Sequence, residues 1–119
     1  MSARAAVAYK LVDAAEWAAA MDVYAGSAVD RADGYIHLSA ADQLAETARK
    51  HYAGRVDLRL LAVDLAALGE TVVWEVSRGG VLFPHIHGVL PRTAVLVERA
   101  LHVDADGVMR FEDGGPAWD

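Results

Sequence analysis

The sequence contains no cysteine. That absence excludes a disulfide framework, a thiol nucleophile and a thiolate-bound metal together. Long apolar runs are missing too, and none approaches the ~20 residues a helix needs to cross a bilayer. No glycine-rich turn of the dinucleotide-binding kind occurs, so a doubly wound parallel sheet is not expected. A nucleophile elbow is also lacking. Ser39 lies two residues from His37 on one short segment, a spacing that does not make a serine–histidine pair. Positive charge is scarce: 11 Lys and Arg stand against 17 Asp and Glu, a net of −6. Polyanions are gripped by basic surface that displaces counterions, so non-specific nucleic-acid binding is not expected. The one dense basic stretch, Arg49-Lys50-His51 with Arg55 and Arg59, is short.

What is present describes one domain. The 119 residues are 55% apolar, much of it alanine, and 24% charged, a balance that argues against disorder. A chain of this length buries roughly two-thirds of its unfolded surface, enough for one core over residues 1–119. Met1–Ala8 has the look of a leader's first residues, but Asp13 and Glu16 interrupt it before an apolar stretch develops. An acidic, soluble, cytoplasmic domain without membrane association is the expectation.

Alternation over Ala6–Val12 predicts a strand ending at Asp13, and Asp13-Ala14-Ala15-Glu16 has the capping-box spacing for a helix to about Met21. Gly26-Ser27 and Asp33-Gly34 bracket an irregular connection. Tyr35–Ser39 reads as a short strand with Tyr35, His37 and Ser39 on one face. Ser39 then caps a helix from Ala40 to Tyr52, stopped by Gly54. Leu58–Val63 is a central strand, Leu65–Leu68 a single turn, and Val72–Val76, Ala94–Val103 and Val108–Phe111 are further strands. The tail 112–119 is expected to fray. Two early helices and a late run of strands predict an α+β domain with one mixed, mostly antiparallel sheet.

Five places could carry chemistry. His37 lies on a polar strand face with Tyr35 and Ser39. His85 and His87, in Phe83-Pro84-His85-Ile86-His87-Gly88, point to one side about 6–7 Å apart if extended. Glu75 sits mid-strand beside Trp74, where a carboxylate is costly unless paired or used. Arg78-Gly79-Gly80 is a turn able to form an anion-binding nest with a guanidinium beside it. Lys10, opposite Tyr9 on the first strand, reaches either a pocket or solvent. His-x-His also presents two imidazoles to zinc, but a third ligand from His37, Glu75 or Asp33 would be needed, and no metal is assigned.

Taken together, Tyr9-Lys10-Leu11, Glu16-Trp17, Gly26-Ser27, Asp33-Gly34-Tyr35-Ile36-His37-Leu38-Ser39, Gln43, Thr47, Leu61-Ala62-Val63-Asp64, Trp74-Glu75 and Phe83–Pro91 follow one pattern. From about Ala8 to Leu96 the chain resembles the bacterial family known as domain of unknown function 952. That family is in turn remotely similar to the ADP-ribosyltransferase-like fold, whose members bind or cleave NAD on a split, mostly antiparallel sheet. The resemblance implies that Lys10 contacts the nicotinamide ribose, where His or Arg is usual and more directional. It implies that His37 and Tyr35 frame the nicotinamide, that Glu75 holds a ribose hydroxyl and stabilises an oxocarbenium-like transition state, and that Arg78 or His85 meets the pyrophosphate.

The expected function is an NAD- or nucleotide-utilising transferase or glycohydrolase with Glu75 and His37 catalytic. Lys10, Tyr35, Ser39, Arg78, His85 and His87 form the ligand-binding set. NAD enters as substrate and no resident cofactor is expected. A non-catalytic nucleotide-binding module and a zinc-dependent hydrolase built on His37, His85 and His87 are the competing readings, with a partner-binding domain behind them.

Overall fold

The centre of the fold follows from one run of sequence. Leu58-Arg59-Leu60-Leu61-Ala62-Val63-Asp64 is apolar on both faces of a strand, so it needs cover on both sides. In the computed structural model, which describes residues 6–115, this strand is β4 (Leu58–Asp64). It is preceded by β1 (Val7–Asp13), α1 (Ala14–Ala19), β2 (Val23–Tyr24), α2 (Ala28–Asp33), β3 (Ile36–His37) and α3 (Ala41–His51). After it come β5 (Val72–Val76), β6 (Leu82–Ile86), β7 (Leu90–Pro91), β8 (Val95–Val103) and β9 (Met109–Phe111), with short 3-10 turns between.

The strands form a four-stranded sheet in the order β1-β4-β8-β9, a three-stranded sheet β3-β6-β5 and a ribbon β2-β7. One core cluster packs Ala8, Val12, Leu61 and Val63 against Trp17, Tyr24, Ile36, Leu38 and Ile86. On the opposite face of the larger sheet, Leu11, Leu58, Leu60, Leu101 and Val103 pack against Leu44 and Ala48 of α3. Those two helix residues are four apart and therefore share one face.

Pro84 decides how the two larger sheets meet. It lies within β6, the middle strand of its sheet, where its carbonyl accepts from Leu38 N at 3.0 Å. With no N–H it cannot donate back, so the β3–β6 ladder ends. The chain then crosses to the edge of β1, where Tyr9 N donates to Ser39 O (2.7 Å) and Ser39 N to Tyr9 O (2.8 Å).

The α+β architecture agrees with the sequence reading; the expected single sheet does not, since the strands divide into three sheets, and several local details differ as well. Every described strand pairing is antiparallel rather than mixed, because turns and short 3-10 segments join the later strands instead of crossover helices. A third helix, α2, replaces the irregular connection, and α1 stops at Ala19. Ser39 does not cap α3; Ala40 does, its N–H bonded to Gln43 Oε1 at 2.9 Å, because Ser39 is held in the bridge to Tyr9. Of the tail expected to fray, residues 112–115 are tied by Glu112 N to Ala100 O and by the Arg99–Asp113 pair. Residues 116–119 lie outside the described part.

Candidate functional site

Pairing puts His37 opposite His85, and His85 opposite Val73, so all three share one face of the β3-β6-β5 sheet. Period-2 alternation adds Tyr35, His87 and Glu75 to that face, while Ile36, Ile86, Val72 and Trp74 turn toward the core. The polar face is densely joined. Glu75 Oε1 lies 2.8 Å from His85 Nδ1 and 2.7 Å from His87 Nε2. The Tyr35 ring stacks on His85 at 4.2 Å and 25°, with His37 at 4.8 Å and His87 at 5.2 Å. His37 and His85 stand edge to face at 5.3 Å.

Behind His37 lies a buried ion pair. Lys10 projects from β1 on the side of Ala8 and Val12 and is only 5% exposed. Its ammonium donates to His37 O at 3.0 Å and pairs with Asp30 Oδ2 at 3.0 Å. Asp30, 2% exposed, also accepts from Ser27 N and His37 N, and its Oδ1 lies 2.6 Å from His37 Nδ1. The second ring nitrogen, Nε2, lies 3.0 Å from Asp33 Oδ2. His37 is therefore fixed by the end of α2 on one side and by β1 on the other.

Burial alone would raise the Asp30 carboxyl; hydrogen bonds from His37 and Ser27 and the charge of Lys10 outweigh it and hold the carboxyl well below the usual range. Burial pushes the Lys10 ammonium down, and the Asp30 carboxylate opposes that push. Glu75 is held below its ordinary value by hydrogen bonds from His87 and His85. His85, 2% exposed, is lowered by burial, with Glu75 pulling the other way.

A cavity of about 730 Å³ opens beside this network, along β1 and between α2 and α3, and is lined by Lys10, Asp30, Asp33, His37, Ser39 and His85 among others. That volume is in the range of small-molecule pockets.

The structure thus brings Lys10, Tyr35, His37, Glu75, His85 and His87 into one connected set. Ser39 lies at its border, its hydroxyl 2.9 Å from that of Thr47. Arg78 sits in the short turn Arg78–Gly80, where Gly80 N already bonds Ser77 O; its side chain lies outside the described part. For a zinc site on His37, His85 and His87, both ring nitrogens of His37 face carboxylates and would first have to be freed. No group of three or more His, Asp or Glu among the described residues is arranged to hold a metal ion. Nor is any helix among them long and apolar enough to cross a membrane.

Sequence reasoning missed Asp30, the pivot of the site. Its sign was Ser27-Ala28-Val29-Asp30: Ser27 Oγ accepts from Asp30 N while Asp30 Oδ2 accepts from Ser27 N, a capping box with Asp in the Glu position.

Residues 11–98 match the family model described as protein of unknown function (DUF952), so the chain belongs to that family. It is similar to protein CC0527 from Caulobacter crescentus: the crystal structure superposes with a TM-score of 0.82 at 50% identity, covering 87% of this chain and 92% of that one. The solution NMR structure of CC0527 gives 0.76 at 49% identity, covering 87% and 91%. No curated protein matches the chain significantly.

Proposed function

We propose that the site binds NAD or a related nucleotide and breaks its N-glycosidic bond, passing the ADP-ribosyl unit to water or another hydroxyl acceptor. One observation carries the reading. Polar groups from three separate strands, Lys10 of β1, His37 of β3 and Glu75 of β5, belong to one network, of which Lys10, His37 and His85 line a nucleotide-sized cavity. The antiparallel sheets meeting at Ser39 and Tyr9 support it further.

In this mechanism Tyr35 and the imidazoles around it frame the nicotinamide. The C1′–N bond breaks and its electron pair leaves with the neutral nicotinamide. Glu75, pinned by His85 and His87, faces the oxocarbenium-like carbon and a ribose hydroxyl with fixed negative charge. The acceptor oxygen then bonds to C1′ as its proton passes to the half-exposed Asp33 carboxylate, which His37 Nε2 holds at 3.0 Å. Asp30 keeps the imidazole oriented. Lys10, sealed beneath His37, acts through Asp30 and the His37 carbonyl as a positioning residue.

Ligand-observed NMR with NAD, ADP-ribose and nicotinamide, run beside a nicotinamide-release assay, tests the reading. Binding should weaken at least tenfold in His37→Ala. Glu75→Gln should retain most affinity and lose turnover. Binding without release by the native protein would make this a non-catalytic nucleotide-binding module, and no binding of any of the three ends the nucleotide reading.

A further inference from the structure

The dense basic stretch of the sequence, Arg49-Lys50-His51 with Arg55, has no part in the site described so far. The structure sets it at one end of the cavity. Arg49, Lys50 and His51 form the last turn of α3, and His51, Tyr52 and Arg55 belong to the cavity wall. Cations in a last turn suit the helix's own carbonyl end, which is reason enough for those three. Arg55 lies beyond the helix and needs another reason. Its backbone is fixed: the N–H donates to Tyr52 O and the carbonyl accepts from Val103 N, both at 2.9 Å. Its guanidinium lies over the Tyr52 ring, 5.3 Å from the centroid, and the Tyr52 hydroxyl is itself tied to Leu11 O at 3.1 Å.

The guanidinium is accessible and has donors to spare. Arg55 is 48% exposed, and the carboxylate oxygen facing it, Asp13 Oδ1, stands 3.9 Å away, beyond hydrogen-bond reach. The other oxygen of Asp13 accepts from Glu16 N at the start of α1. Lys10, the second Lys or Arg of the wall, is closed off by burial and by its pair with Asp30. β1 sets the separation between them. Lys10 and Asp13 are three residues apart on that strand, ~10 Å at the usual rise. Arg55, beside Asp13, therefore stands roughly that far along the cavity from Lys10 and His37. Asp13 and Glu16 line the same stretch, a negative field that a weakly held anion does not overcome. A phosphate accepts two parallel N–H bonds from one guanidinium, the strongest grip that this side chain offers.

We propose that Arg55 is the phosphate-binding residue of the cavity, its guanidinium donating to the non-bridging oxygens of a phosphate ester. This rests on the nucleotide reading for the class of ligand and deepens it by giving the pyrophosphate a place. His85, which the resemblance offers for that role, is 2% exposed and has its Nδ1 on Glu75. The probes are two pairs that differ only in the phosphate: nicotinamide mononucleotide with nicotinamide riboside, and adenosine monophosphate with adenosine. The variants are Arg55→Gln, which removes the charge, and Arg55→Lys, which keeps the charge and loses the fork.

In titration calorimetry the native protein should bind the phosphorylated member of at least one pair about tenfold or more tightly than its nucleoside. Arg55→Gln should weaken that ester about ten- to a hundredfold, the size of a charge-assisted contact, and leave the nucleoside unchanged. Arg55→Lys should recover part of the loss. Both variants should melt within about 2 °C of the native protein, since an exposed pair as loose as Arg55–Asp13 adds little. The proposal is overturned if neither ester binds, if the native protein binds both members of each pair equally, or if Arg55→Gln weakens ester and nucleoside alike. Arg55-dependent binding of adenosine monophosphate with NAD left uncleaved would keep this subsite and end the glycosidic mechanism. NAD cleavage with a KM unchanged in Arg55→Gln would do the reverse.

Discussion

Asp30 and Lys10 show what a buried pair is worth at the scale of single residues. Each is almost fully enclosed, and each is the other's counter-charge. Removing one partner strands the other in a poorly solvated place, which is strongly destabilising even where the intact pair adds little. Asp30→Ala and Lys10→Met should each cost about 3–5 kcal/mol in urea unfolding. The double variant should lose less than the sum, with a coupling of about 1–3 kcal/mol in a double-mutant cycle. Additive losses would mean that the two charges do not depend on each other. Lys10 was legible in the sequence only as a choice between pocket and solvent, since alternation gives a side and not a depth. The structure supplies a third outcome, a charge buried against a carboxylate. His37, Glu75, His85 and His87 were legible because imidazoles and a carboxylate stand out on apolar strands; that they meet was not, since it depends on the pairing of β3, β6 and β5.

At the scale of elements, α2 carries the most for its size. Six residues, Ala28–Asp33, have no apolar stripe long enough to announce a helix, which is why the segment reads as a connection. Its order comes from its ends: the reciprocal Ser27–Asp30 cap and Gly34, which closes it at φ +90°. Ser27→Ala should cost about 1 kcal/mol of stability, the usual loss of a cap, and loosen Asp30 from His37. Gly26→Ala should cost more, beyond about 1 kcal/mol, because Gly26 has φ +105° and an added Cβ would lie 2.7 Å from Asp30 Cβ. Chemical denaturation ranks the two, and the reverse order would refute this account of the cap. Longer elements gave stronger signs: β1, β4, β5, β8 and α3 were all readable from periodicity within a few residues. Strands of two residues such as β2, β3 and β7 have too little alternation to be read and exist through their partners.

For the whole molecule, the response to acid follows from the same groups. His85 is held below its ordinary 6.5, so as pH falls the unfolded chain takes the proton first. Its contribution is complete above pH 6.5 and drains away as pH falls through the folded value. Glu75 and Asp30, both lowered from their ordinary 4.5 and 3.8, follow with the same sign in more acid solution. Urea midpoints should therefore decline in two stages, the first beginning near pH 6.5, and His85→Asn should flatten that stage alone. A native profile without slope between pH 7 and 5 would refute the role given to His85. The antiparallel architecture behind this behaviour was legible from the late run of strands, but its division into separate sheets was not, because the break depends on the N–H that Pro84 lacks. Between the two larger sheets the described residues provide one seam: the paired backbone bonds of Tyr9 and Ser39, reinforced by the Lys10 ammonium on His37 O. The cavity runs along that seam, beside the apolar cluster the two sheets share, so whatever lodges there touches both sheets at once and ties them by a second set of contacts.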